Sequence, residues 1–170
     1  MATNMAEQEI QSIHILKDIE IAAPLEITFA AVLEEIGPAG EMPDGKAFPM
    51  VIEPWPGGRW YRDLGNNAGH LWGHVQVIKP PTLLELCGPM FMSFPGLNHV
   101  QYRLTAEGDG TRLQITHRAL GQIPREVQEG AGQGWDYGLK RVREIAERLK
   151  SERREAVSYT HLTLPTTPYV

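Results

Sequence analysis

From Ser12 to Ile21 the chain alternates. Ile13, Ile15, Lys17, Ile19 and Ile21 share one side, and His14, Leu16, Asp18 and Glu20 share the other. That period of two predicts a half-buried first strand. Pro24 stands where a helix begins, at a position where its missing N–H costs nothing. Leu25, Phe29, Val32, Leu33 and Ile36 then recur at helical spacing until Gly37 and Pro38 stop the run. From there to Pro49 the chain is rich in Gly, Pro and acidic residues, a loop long enough to rim or cover a pocket.

Met50–Glu53 reads as a short strand leading into the stretch around which the chain is organised, EPWPGGRWYRDLGNNAGHLWGHVQVIKPP. Its Pro-Gly-Gly turn introduces two aromatic-rich runs, Arg59–Leu64 and His70–Ile78, with Gly65, Asn66, Asn67 and Gly69 between them. Turn residues in that place predict an antiparallel hairpin. Strict alternation puts Trp60, Arg62 and Leu64 on one face of the first run. His70, Trp72, His74, Gln76 and Ile78 share one face of the second.

Thr82–Cys87 is a further short strand. Met90, Phe91, Met92 and Phe94 follow in a segment broken by Pro95, and they either cap the core or line a pocket mouth. His99–Thr105 and Arg112–Ala119 flank a Glu-Gly-Asp-Gly-Thr turn and form a second hairpin, with Val100, Tyr102, Leu104, Leu113, Ile115 and His117 inward. Trp135, Leu139, Val142, Ala146 and Leu149 then mark one side of a long helix over about Val127–Lys150, with glycines at 130, 132 and 134 near its start.

The ends lose this patterning. Residues 1–11 are polar and read as a disordered N-terminus. The domain spans residues 12–150, and 151–170 is a tail. Residues 157–170 carry no Asp, Glu, Lys or Arg, and VSYTHLTLPT resembles a sequencing-library transposon adapter translated in frame.

Composition narrows the function classes. A chain of 170 residues with 42% apolar content forms one globular domain. The net charge of −5 speaks against a nucleic-acid partner. No apolar run approaches a membrane span, and the first residues lack the features of a signal peptide. These traits fit a bacterial, cytoplasmic protein. Cys87 is the lone cysteine, reads as a small buried hydrophobe, and excludes an internal disulfide.

His70 and His74 are four apart, but on a strand that separates them by roughly 13 Å, too far to share one ion. No metal and no cofactor is expected. The alternation places Arg62, His74, Gln76 and His117 on the concave side, surrounded by Trp60, Trp72, Tyr102 and Trp135. Two readings of Arg62 stand. Glu53, Asp136 or a backbone carbonyl satisfies it, or it orients an acidic ligand in an apolar cavity with a polar end. His74 and His117 are the candidates for acid–base chemistry. No nucleophile elbow or phosphate loop is present.

The order is strand, helix, six strands, long helix. The motifs EPWPGGRW, GHVQVIKPPTLLEL, GDGTRLQITH and the GW…L…R helix resemble the START-like (SRPBCC) superfamily. Within it they resemble the family of the heat-shock-protein-90 ATPase activator homologue C-terminal domain. The resemblance covers about Ile13–Lys150. It implies an α+β helix-grip fold, a curved seven-stranded antiparallel sheet wrapped on the C-terminal helix. Many members carry a tryptophan-rich segment after the first helix, where this chain has Glu34–Pro49 without tryptophan.

Three functions follow as expectations. The first is a domain binding a small hydrophobic or amphipathic ligand, as sensor or carrier and possible homodimer. The others are a cyclase- or hydrolase-type enzyme using His74 or His117, and a protein-interaction module.

Overall fold

A computed structural model describes residues 9–163, and side chains through 157. The elements are β1 (Gln11–Ile21), α1 (Leu25–Glu35), β2 (Val51–Ile52), β3 (Arg59–Gly65), β4 (Ala68–Lys79), β5 (Leu83–Gly88), β6 (Gly96–Glu107), β7 (Gly110–Gly121) and α2 (Arg125–Thr163). The strands form one antiparallel sheet in the order β1-β7-β6-β5-β4-β3-β2. This is the helix-grip arrangement expected from the motifs. Every neighbour pair except β1–β7 joins strands consecutive in sequence, so hairpin turns do most of the ordering. Asn66 and Asn67, both with positive φ, form the tip between β3 and β4, as asparagines tolerate in such turns.

The core lies between the concave sheet face and the two helices. From the sheet come Trp60, Val75, Leu84, Leu86, Val100, Tyr102, Leu104, Leu113 and Ile115. From α1 come Phe29 and Val32, and from α2 Leu139, Val142, Ile145 and Ala146. Trp60 is buried and its indole N–H reaches the Ile36 carbonyl at 2.7 Å. Burying a large apolar side chain is worth about 1.5–3 kcal/mol, and this bond also ties the end of α1 to β3.

Three expectations are corrected. First, α2 continues past Lys150 to Thr163, so the helix takes in part of the segment read as tail. Residues 1–8 and 164–170 of the two ends lie outside the described residues. Second, Cys87 is half-buried on the outer face, because the inward positions of β5 are Leu84 and Leu86. It stands in register between His74 and His99. Third, β4 does not alternate strictly. Its pairing with β3 slips between Trp60 and Tyr61, where Trp72 is the extra residue, and its pairing with β5 slips between Val75 and Val77. Each bulge shifts the inward set by one residue. Gly73 and Val75 are buried, while His74 and Gln76 face solvent.

Candidate functional site

The concave face is not filled to its edge. Between α2, the end of α1, the segment 36–50 and the β4–β5 side of the sheet lies an open, mainly apolar cleft of about 520 Å³. A smaller recess of about 140 Å³ continues it inward toward Trp60 and Tyr102. Phe48, Trp72, Met90 and Trp135 line both parts, and Phe91 and Met42 stand at the wider part. Met90 and Met92 are buried and Phe91 is exposed, so that segment both caps the core and edges the cleft. The glycines of α2 make the space. A β-carbon at Gly130 or Gly134 would meet nothing within 4 Å.

Of the eight residues singled out as binding candidates, the fold gathers five: Trp60, Trp72, Tyr102, His117 and Trp135. Trp72 meets Trp60 edge-on at 5.1 Å and Phe48 at 5.8 Å between ring centres. Trp135 meets Tyr102 at 6.1 Å and His117 at 5.6 Å. Arg62, His74 and Gln76 are not brought to the cleft. His74 pairs with Arg59 on the outer face, and Gln76 is turned outward with it by the bulge at Trp72. Arg62 lies over the Phe48 ring at 4.1 Å and donates to the Pro49 carbonyl at 2.8 Å. It clamps the 36–50 segment, which satisfies its charge through a backbone carbonyl. Glu53 is taken by Arg59 at 2.8 Å, and Asp136 by Lys17 at 3.1 Å.

His117 is 1% exposed, and both ring nitrogens are committed. The Trp135 indole N–H donates to Nδ1 at 3.0 Å, so the ring proton sits on Nε2 and donates to Asn98 Oδ1 at 2.6 Å. The Asn98 amide in turn donates to the Gly88 and Pro89 carbonyls. Burial pushes the imidazole down to about 4. A neutral ring with no free nitrogen is a strut between sheet, α2 and the 88–92 segment. It cannot serve as a proton carrier without breaking that chain of bonds.

The polar chemistry of the cleft lies elsewhere, on a residue that sequence pattern alone passed over. Glu35, at the end of α1, lines both parts of the cleft. Its carboxyl rests against Gly138 of α2, where a β-carbon would come within 3.6 Å of Oε1. Burial pushes it up to about 7, and the Arg141 guanidinium pulls the other way. Arg141 itself is occupied by the Ala39 carbonyl, Glu41 and Glu144. Glu41 accepts the Tyr137 hydroxyl at 2.7 Å. Three buried polar atoms lack a partner among the described residues: Trp72 Nε1, Tyr102 Oη and Arg141 Nε. The first two belong to recess-lining residues. Glu35 had one sequence signal. It falls three and four positions after Val32 and Ala31, on the buried stripe of α1.

No curated protein matches the chain. Solved structures share its fold. An uncharacterised protein from Rhizobium leguminosarum superposes with a TM-score of 0.63 at 16% identity, over 83% of this chain and 98% of that one. CalU16 from Micromonospora echinospora gives 0.56 at 21% identity, over 88% and 94%. The di-domain aromatase/cyclase StfQ of the steffimycin biosynthetic pathway gives 0.60 at 10% identity, over 85% of this chain and 53% of that one. The model of the family described as "Activator of Hsp90 ATPase homolog 1-like protein" matches residues 46–147, from the clamped loop to the middle of α2. With more than half of its length in that match and a START-like (SRPBCC) fold around it, the chain belongs to the Activator of Hsp90 ATPase homolog 1-like family.

Proposed function

We propose that this domain binds a small amphipathic molecule in the cleft beneath α2, as a sensor or carrier. One observation carries the reading. An open apolar cleft carries the Glu35 carboxyl in its lining, and two residues of its inner recess, Trp72 and Tyr102, hold buried donors without a partner among the described residues. Buried donors without partners cost about 1–3 kcal/mol each, a deficit that a ligand acceptor offsets once the lining shifts enough to admit it. The apolar lining takes the body of the ligand and this inner end orients it. With Arg62 outside the cleft, no arginine lines it, and the nearby Arg141 guanidinium is engaged by the Ala39 carbonyl, Glu41 and Glu144. The polar contact is with a carboxyl instead.

A second reading is acid–base chemistry on the bound molecule. It is supported by Glu35 alone, whose value of about 7 suits proton transfer near neutrality. Neither His74 nor His117 is placed for it. The likeness to StfQ, an aromatase/cyclase, is one of fold and lends it no residue.

Native mass spectrometry of the protein as purified from cells tests the binding reading and registers a homodimer in the same spectrum. A retained small-molecule adduct is expected, and it should be reduced or lost in Gly134→Leu, whose side chain projects into open space at the cleft. A spectrum of unliganded protein, together with no uptake of an apolar fluorescent probe, sinks the reading.

A further inference from the structure

The cleft is acidic as well as aromatic. Its lining residues include two carboxyls, Glu35 and Glu41, and no lysine or arginine. Glu41 is already engaged by Tyr137 and Arg141. Glu35 makes no hydrogen bond or ion pair among the described residues, and it lines the recess together with Phe48, Trp60, Trp72 and Trp135. A carboxyl without a hydrogen-bond partner, among aromatic lining residues and balanced only through the charge of Arg141, is the complement of a positive charge. The rings attract cations through their quadrupoles, and the carboxylate supplies a charge-assisted partner.

We propose that the ligand is an organic cation, an amine or quaternary ammonium on an apolar body, with its charge at Glu35 and its body along Phe48, Trp72 and Trp135. The inference rests on the binding reading above and adds the charge of the ligand. An anion would meet Glu35 with no cation lining the cleft to offset it. A neutral ligand fills the apolar part and meets Glu35 in its protonated form, so it gains nothing from the carboxylate as pH rises.

Binding is linked to protons. The charged and titratable groups around Glu35 are Tyr137, Arg141 and Glu144 on α2, Glu41 on the 36–50 segment, Tyr102 on β6 and His117 on β7. Glu35, held up to about 7, is largely protonated in mildly acidic solution. A cation drives that proton off, so its affinity rises with pH.

The test titrates tryptophan fluorescence with benzyltrimethylammonium, whose charge does not change with pH, and with neopentylbenzene, its neutral carbon isostere. At about pH 8.5 the cation should bind about tenfold more tightly than the isostere, and it should lose about tenfold on going to pH 5.5. Glu35→Gln should bring the cation down to the isostere and abolish the pH dependence. If the isostere binds wild-type protein as well as the cation does, the charge assignment is wrong and the binding reading stands. A preference for the cation that survives Glu35→Gln also overturns the assignment. If neither compound binds, the binding reading falls with it.

Discussion

The indole N–H of Trp135 on α2 is bonded to Nδ1 of His117 on β7 at 3.0 Å, and that single contact sets the histidine's role. It holds the imidazole in the Nε2–H form, directs that proton to Asn98, and joins the helix to the sheet at the wall of the cleft. Trp135→Phe keeps most of the ring packing and removes the donor. It should cost about 1–2 kcal/mol. A double-mutant cycle with His117→Phe should show coupling of about 1 kcal/mol. Additive effects in chemical denaturation would show the bond to be idle.

Asn98 is buried and donates to two carbonyls of the 88–89 turn while accepting from His117. Asn98→Ala orphans all three groups and should destabilise by about 2–4 kcal/mol. The loss should appear first as faster amide exchange in residues 88–92. Unchanged exchange there would argue against its role as the tie.

Stability against pH should carry two opposed slopes. Glu35 is raised from its ordinary 4.5 to about 7, so its contribution is fully present below 4.5 and is lost as pH rises through 7. His117 is lowered from 6.5 to about 4, so its contribution is present above 6.5 and lost as pH falls through 4. Between these values the two partly cancel. Glu35→Gln should remove the first slope, stabilise the protein by about 2 kcal/mol near pH 8, and leave the acid-side loss attributable to His117. Denaturant melts across this range, run on both proteins, read the difference directly. Parallel curves would rule it out.

Gly134 separates cleft from fold. It lies inside α2, and a β-carbon there meets nothing within 4 Å. Gly134→Ala should stabilise by up to about 1 kcal/mol through helix propensity. Gly134→Leu should keep that gain while blocking uptake of an apolar fluorescent probe. Loss of stability in both variants would mean that the glycine serves packing rather than space.

Arg62→Met should loosen the 36–50 segment, raising its amide exchange, because the bond to the Pro49 carbonyl disappears. It should leave the preference between charged and neutral cleft ligands unchanged. A change in that preference would return Arg62 to the site.

Local pattern determined most of the architecture. The period-two runs, the helical spacing of Leu25, Phe29, Val32 and Ile36, and the turn residues at 65–69 and 107–110 correctly announced the strands, α1 and their antiparallel joining. These are nearest-neighbour properties, which a chain displays along its own length. Trp60, Trp72, Tyr102, His117 and Trp135 were legible as one cluster for the same reason. Tertiary structure decided what lies at the polar end. A bulge at Trp72 reversed the facing of His74 and Gln76. A bulge depends on how two strands pair, and no residue of β4 reveals it alone. Arg62 had a plausible inward position until Phe48 and Pro49, thirteen or more residues earlier, claimed its guanidinium. Glu35 looked like an ordinary helix-end acid. Only the approach of Gly138, more than a hundred residues away, encloses its carboxyl and lifts its proton affinity toward neutrality, because desolvation depends on the surroundings and not on the residue itself.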